Sequence, residues 1–391
     1  MILNNIQAIQ PNELFDPSNF STGQLFTNAI FAQGEYYDFG DVQMIILGVT
    51  ESRASANNNE RADIAANEIR KEFYQLYAHN PEFTILDLGN LLPSETPEES
   101  YEQLSNLLND LILKGIPVMI IGGTQDNTYG QYLAYEGQEN GIQMVNIDEK
   151  IDLHELKSNE VLNDSYLWPI VMHHSHFLQK YIHLGYQQYL VPPKTITALE
   201  TLNFECVRIG EIKPNIKRVE PYLRNSDMVS FDIGAIKSSD APGKSNQTPN
   251  GFSGEEACQI MRYAGMSDQI SSLGIYEYNP SYDLNKQTAM LISQMCWYYL
   301  EGVLNRKPEN PHNLESEEDF RKYTVDNEEI GSAIIFWKSK KTDRWWMELP
   351  YKKKENSFDN ELIACNFEDY YNALHGEMPD RWLVAYHRLT H

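Results

Sequence analysis

Seven short runs along the chain are almost unbroken in apolar character: residues 42–49, 84–88, 117–121, 143–147, 180–184, 228–232 and 272–276. Strands covered on both faces carry apolar side chains at every position rather than at alternate ones, so these runs predict interior strands of a parallel sheet. Between them lie longer stretches in which apolar residues recur at helical spacing, over residues 62–77, 98–114, 254–265 and 286–304. Asn57, Asn58 and Asn59 stand before the first of these as N-cap types, and Glu98 and Glu99 open the second with acids that suit a helix N-terminus. Strand and helix alternate, which predicts a mostly parallel sheet covered by helices.

The pattern changes near Asn305. There RKPENPHNLESEEDF brings prolines and a cluster of acids, the composition of an exposed connection. Beyond it, residues 332–338 and 344–350 flank the polar stretch 339–343, which predicts a hairpin with lysine at its tip. Trp337, Trp345, Trp346, Trp382, Tyr370, Tyr371 and Tyr386 give this C-terminal part more large rings than a disordered tail carries. Packing against the main body accounts for such rings, and a surface for a protein partner is the sharper reading. The expected organisation is an N-terminal extension over 1–40, an α/β domain over 41–305 and an aromatic-rich, β-containing extension over 306–391.

Charge narrows the range of functions. Lys and Arg total 31 against 56 Asp and Glu, and the net charge of -25 repels phosphate backbones and anionic lipid headgroups. Nucleic acid and membrane partners are therefore not expected. Cys206, Cys258, Cys296 and Cys365 are too scattered for a disulfide framework or a zinc knuckle. No window reaches about 18 uninterrupted apolar residues, and the start MILNNIQAIQPNELFD has no basic flank leading into an apolar stretch, so a cytoplasmic location is expected.

Ligands of open α/β sheets gather at the carboxyl ends of strands, and three predicted ends carry acids or amides. IIGGTQDNT spans 120–128, DEKID spans 148–152 and SFDIG spans 230–234. In extended chain Asp148, Lys150, Asp152 and His154 fall on one side. The three segments resemble, in order and spacing, the Gly-Gly-Asp-His, Asp-Ala-His-x-Asp and Ser-Phe-Asp-x-Asp motifs of the arginase/agmatinase/formiminoglutamase (ureohydrolase) family. Glu277, Tyr278, Asn279 and Pro280 match its later Glu-x-Asn-Pro, Pro242 matches a proline downstream of the third motif, and the run from Gly48 through Arg53 to Arg70 is similar to its first strand, loop and helix. The formiminoglutamase branch looks nearest. The resemblance covers about residues 40–305 and implies an arginase-like, three-layer α/β/α fold, an oligomer, and a glutamate at position 277 that binds a planar guanidino or formimino group.

The family holds two manganese ions with two histidines and four aspartates, and the carry-over departs from that set at three places. The histidines fall on Gln125 and Lys150 and the last aspartate on Gly234, leaving Asp148, Asp152 and Asp232. A protonated ammonium donates only and repels a dication. Three carboxylates without a cation raise one another's pKa, so Lys150 is expected to serve as their counter-ion in place of metal. On this reading no cofactor is expected and the protein is a non-catalytic structural or interaction protein. The alternative is a metal-dependent hydrolase of linear amidine C–N bonds, with manganese or a single ion on Asp148, Asp152 and Asp232 helped by Asp126 or His154. His173, His174 and His176 form a weaker candidate cluster. No Gly-x-Ser-x-Gly elbow is present, and Gly122 and Gly123 are not followed by the Gly-Lys-Ser/Thr of a phosphate loop.

Overall fold

A computed structural model describes residues 5–33, 39–54, 62–80, 82–138, 141–155, 163–173, 177–309, 317–327, 332–353 and 357–390. The candidate N-caps Asn57 to Asn59, and also His174 and His176, lie outside these residues. The strands are β1 (Ile6–Gln7), β2 (Ala29–Phe31), β3 (Met44–Val49), β4 (Ile85–Leu91), β5 (Val118–Ile121), β6 (Ile142–Ile147), β7 (Leu178–Tyr186), β8 (Glu205–Arg208), β9 (Met228–Asp232) and β10 (Ser272–Tyr276). They form one sheet in the order β1-β4-β3-β5-β10-β9-β6-β7-β8, with β2 also on β4, and only the β1–β4 pair is antiparallel.

Side chains alternate across the sheet, so each interior strand feeds two cores. Met44, Ile46, Met119 and Ile121 pack with Ile69, Met261, Ile292 and Met295, which come from helices Ala62–Phe73, Gly254–Met266 and Gln287–Leu304 on one face. Ile45, Leu47, Val118 and Ile120 pack with Leu104, Leu108, Tyr132, Ile170 and Leu199 on the other face, from helices Pro97–Ile112, Asn127–Leu133, Leu167–Met172 and Pro193–Thr201. The result is a three-layer α/β/α arrangement with a mostly parallel sheet. The helix foreseen from Glu98 begins one residue earlier, because Thr96 and Glu99 form a reciprocal capping box around Pro97. Among the described residues no helix is long and apolar enough to cross a membrane.

The C-terminal part forms a second, antiparallel sheet, β11 (Phe320–Asn327), β12 (Ser332–Ser339), β13 (Trp345–Lys353) and β14 (Ser357–Cys365), in sequential order. The foreseen hairpin is β12–β13, closed by Ser339 N donating to Arg344 O at 2.9 Å. Helices Phe367–Leu374 and Asp380–Thr390 contribute Ala373, Trp382 and Ala385 to a core with Phe336, Trp345 and Met347. All four C-terminal tryptophans are buried, while Phe367 and Tyr371 stay exposed. The sheet attaches beside helix Glu220–Arg224, just before β9, at the amino ends of the parallel strands. A cleft of about 400 Å³ lies there, lined by Gln143, Arg224, Asp227, Asp268 and Trp346 among others.

Asp227 marks that end of the sheet. Its carboxylate accepts from Gln143 N at 2.7 Å, yet burial pushes it up to about 6. A carboxyl whose folded pKa lies above its unfolded value near 4 favours the fold while protonated and loses that contribution as pH rises through about 6. Asp227→Asn keeps an acceptor for Gln143 and removes the charge. The variant is therefore expected to gain stability over the parent at pH 8, by up to about 2 kcal/mol, and to gain little at pH 4. Urea melts at the two pH values check this, and a gain independent of pH contradicts it.

Candidate active site

Four neighbouring strands, β5, β10, β9 and β6, end side by side at the carboxyl edge of the sheet. Tyr276 registers with Asp232, Ile275 with both Ile121 and Phe231, and Phe231 with Ile147. Parallel strands lie about 4.8 Å apart, so the residues just beyond these pairs converge: Gln125 after β5, Glu277 after β10, Asp232 closing β9 and Asp148 after β6. Gly122 and Gly123 turn the chain after β5 with φ of +87° and +74°, and a Cβ at Gly122 would sit 2.9 Å from Val49 O.

Gln125 is fully buried and acts as a hydrogen-bond hub. Its backbone N donates to Glu277 Oε1 at 3.0 Å, and its Nε2 donates to Ser230 Oγ at 2.8 Å and Asn146 Oδ1 at 3.2 Å. Glu277 also accepts from Asn163 Nδ2 at 2.9 Å and holds a left-handed φ of +72°, fixed by its own N donating to Gly123 O at 3.0 Å. Asp148 is buried, and its Oδ1 has no hydrogen-bond partner among the described residues. Burial first, then the charges of Asp232 and Asp152, push Asp148 well above the usual carboxylate range, with Lys244 opposing. Burial and the Asp232 charge push Asp152 up to about 7. Burial also raises Glu277, again opposed by Lys244.

The cation in contact with the aspartates is Lys244, and Lys150, expected in that place, acts on Asp152 only as a more distant charge. Lys244 Nζ donates to Asp232 Oδ1 at 2.5 Å and Oδ2 at 2.6 Å and lies 3.9 Å from Glu277 Oε2. Burial works against its charge, but Asp232, Glu277 and Asp148 outweigh that and hold the ammonium protonated above the usual lysine range. Lys150 instead lies 3.8 Å from Glu149 Oε1 with its side chain 43 % exposed. The expectation failed because the chain leaves the strand at Ile147 and bends at Glu149 and Lys150, which ends the alternation that had put Lys150 beside Asp148. Gly234 makes room for the substitute: a Cβ there would stand 2.7 Å from Lys244 Nζ and 3.0 Å from Asp232 Oδ1.

Lys244 escaped the sequence reading although it stands two residues after the recognised Pro242. The usable signal was a base in that loop, which carries Lys237 and Lys244, together with the need for a cation. The loop is pinned by Gly243, whose N donates to Thr288 Oγ1 at 2.8 Å and whose O accepts from Asn279 N at 2.8 Å. Two candidate helpers do not join the three aspartates. Asp126 accepts from Tyr101 OH at 2.7 Å, and the exposed His154 pairs its Nδ1 with Asp164 O at 2.7 Å. His173 packs against Tyr132, with its Nδ1 3.1 Å from the hydroxyl. The four cysteines are free thiols.

A family model for the arginase family matches residues 42–301, two thirds of the chain. The chain belongs to the arginase family. This arginase-family chain is 26 % identical over 246 residues to a formimidoylglutamase of Geobacillus sp. (strain WCH70), covering 59 % of this chain and 73 % of the relative. It is 25 % identical over 263 residues to that of Staphylococcus haemolyticus, covering 65 % and 82 %. Among solved structures it resembles Trypanosoma cruzi formiminoglutamase with Mn2+, with a TM-score of 0.63, 18 % identity and coverage of 70 % and 97 %. It likewise resembles formimidoylglutamase from Bacillus subtilis, with a TM-score of 0.65, 16 % identity and coverage of 76 % and 98 %. These likenesses bear out the arginase-like fold. They also correct the expectation that no cofactor belongs to the site, since the Trypanosoma cruzi structure contains Mn2+.

How far the residues present suit such a metal follows from their chemistry. At the positions to which the resemblance carries the family's two histidines and last aspartate, Gln125, Lys150 and Gly234 supply no anionic or imidazole donor. Among the described residues no group of three or more His, Cys, Asp or Glu side chains is placed so that it could hold a metal ion as the chain stands. What remains is Asp148, Asp152 and Asp232, oxygen donors of the type one manganese ion takes, with Asp148 Oδ1 buried without a partner and Lys244 Nζ lying on both oxygens of Asp232.

Proposed function

We propose that this arginase-family chain is a hydrolase of a linear amidine C–N bond, working with a single manganese-type cation held by Asp148, Asp152 and Asp232. The observation that supports it is the charge of the pocket, where Asp148, Asp152, Asp232 and Glu277 surround one buried ammonium, Lys244. That leaves a demand for positive charge which a cation and an amidinium would fill. The formimidoylglutamase names of the relatives favour formiminoglutamate as substrate. When bound, the cation would lower the pKa of a water enough for it to attack the amidine carbon.

The protein's own residues supply binding and orientation. Glu277 presents its carboxylate to the planar amidinium, while Gln125 N and Asn163 Nδ2 hold one of its oxygens in place. Gln125, uncharged, ties β5 to Ser230 on β9 and Asn146 on β6, so the strand ends keep one spacing.

Metal analysis of the purified full chain, followed by a formamide-release assay on formiminoglutamate with manganese added, tests the reading. Expected are about one manganese per chain and turnover that Glu277→Ala lowers by at least about 100-fold in kcat/KM. A second reading, a non-catalytic structural or interaction protein, is favoured by one observation, the closure of Lys244 on Asp232. Absence of turnover on formiminoglutamate, agmatine and arginine with manganese present would overturn the hydrolase and leave that second reading.

A further inference from the structure

We infer that Lys244 is a tethered competitor for the cation site, so a divalent ion gains Asp232 only when the ammonium leaves it. The inference rests on the reading of Asp148, Asp152 and Asp232 as cation ligands. Both oxygens of Asp232 are engaged by Lys244 Nζ, at 2.5 and 2.6 Å, and Oδ1 also accepts from Gly234 N at 2.6 Å. A carboxylate so occupied has little left for a metal, and an ammonium at that spot repels a dication arriving nearby. Across from it, Asp148 Oδ1 is buried and unpartnered, an acceptor that the ammonium does not reach.

Two sequence positions act together in this device. Lys244 brings the charge on a loop whose backbone Gly243 anchors to Thr288 and Asn279. Gly234 leaves the volume that the charge occupies, since any side chain there would start 2.7 Å from Nζ. The backbone is fixed and only the flexible lysine side chain has to swing, so the competition is a local equilibrium. Its effect is to weaken the apparent affinity for the ion by the stability of the closed pair.

Isothermal titration of the metal-free full chain with Mn2+ tests it with two variants. Lys244→Met removes the competitor and is expected to bind Mn2+ at least about tenfold more tightly than the parent. Gly234→Ala keeps the lysine but pushes Nζ off Asp232, and is expected to tighten binding in the same direction. In thermal melts, Mn2+ should raise the Tm of both variants more than that of the parent.

Unchanged or weaker Mn2+ binding in the variants would overturn the inference. If Lys244→Met fails to fold, Gly234→Ala decides alone. The two readings fail separately: tighter binding without turnover sinks the hydrolase and keeps the competitor, whereas turnover with an affinity indifferent to both substitutions does the reverse.

Discussion

Replacing Arg70 with methionine is expected to cost the fold about 3–5 kcal/mol, the usual penalty for breaking a buried ion pair from one side. Arg70 lies in helix Ala62–Phe73 beneath the sheet, and it and Asp87 are both 0 % exposed. Nε and Nη2 donate to the two Asp87 oxygens at 2.8 and 2.9 Å, and the remaining donors reach Asn90 Oδ1 at 2.6 Å and Gly89 O at 2.9 Å. Methionine fills much of the volume but leaves the Asp87 carboxylate with only Tyr74 OH and Gly89 N as donors. Total stabilities run to about 5–15 kcal/mol, so this one substitution removes a large share of what holds the chain folded. The check is the urea midpoint, which should fall with little change in slope. Adding Asp87→Leu should recover more than half of the loss, because the orphaned charge goes with it. A single-variant loss below about 1 kcal/mol would mean that the pair is dispensable.

The second large effect is expected at the junction between the two sheets. Arg224 is 4 % exposed and donates to Trp345 O at 2.7 Å and Cys365 O at 3.3 Å, while its guanidinium lies 4.6 Å from the Trp346 ring centroid. It also pairs with Glu220, which Arg344 approaches at 3.1 Å from the C-terminal side. Arg224→Ala strips two strand carbonyls of their donor and leaves Glu220 to Arg344 alone, a loss of about 2–4 kcal/mol concentrated at this contact. Four of the six tryptophans belong to the C-terminal sheet and its helices. Their emission should therefore shift to the red in a first calorimetric transition that precedes unfolding of the parallel sheet. One coincident transition, as in the parent, would show that Arg224 does not hold the junction.

Interior strands were legible because burial on both faces writes itself as an unbroken apolar run, and all seven such runs are strands. Their ends were less so. β4 continues past Leu88 to Leu91 through Asn90, a polar residue that breaks the apolar run and that Arg70 satisfies inside the core. β1, β2 and β8 were missed because edge strands are short and partly exposed, which removes the apolar run that marked the others. At the site, motif order located the four strand ends, and the reasoning that clustered carboxylates need a cation was sound in kind. The residue that meets the need came from a loop, where spacing carries no information about direction. Lys150, partly exposed and 3.8 Å from Glu149 Oε1, makes no contact with Asp232, and the weight shifts to Lys244.

The placement of the second sheet has a practical consequence. Gln143 in β6 and Asp227 just before β9 stand at the end facing the C-terminal cleft, and the two strands deliver Asp148 and Asp232 at the other, roughly 16 Å of extended chain away. Substitutions at Arg224 or Trp346 and substitutions at Lys244 or Gly234 share no neighbours, so their free energies should add. The junction can thus be loosened or tightened by mutation as an independent dial, without retuning the carboxylates at the opposite rim.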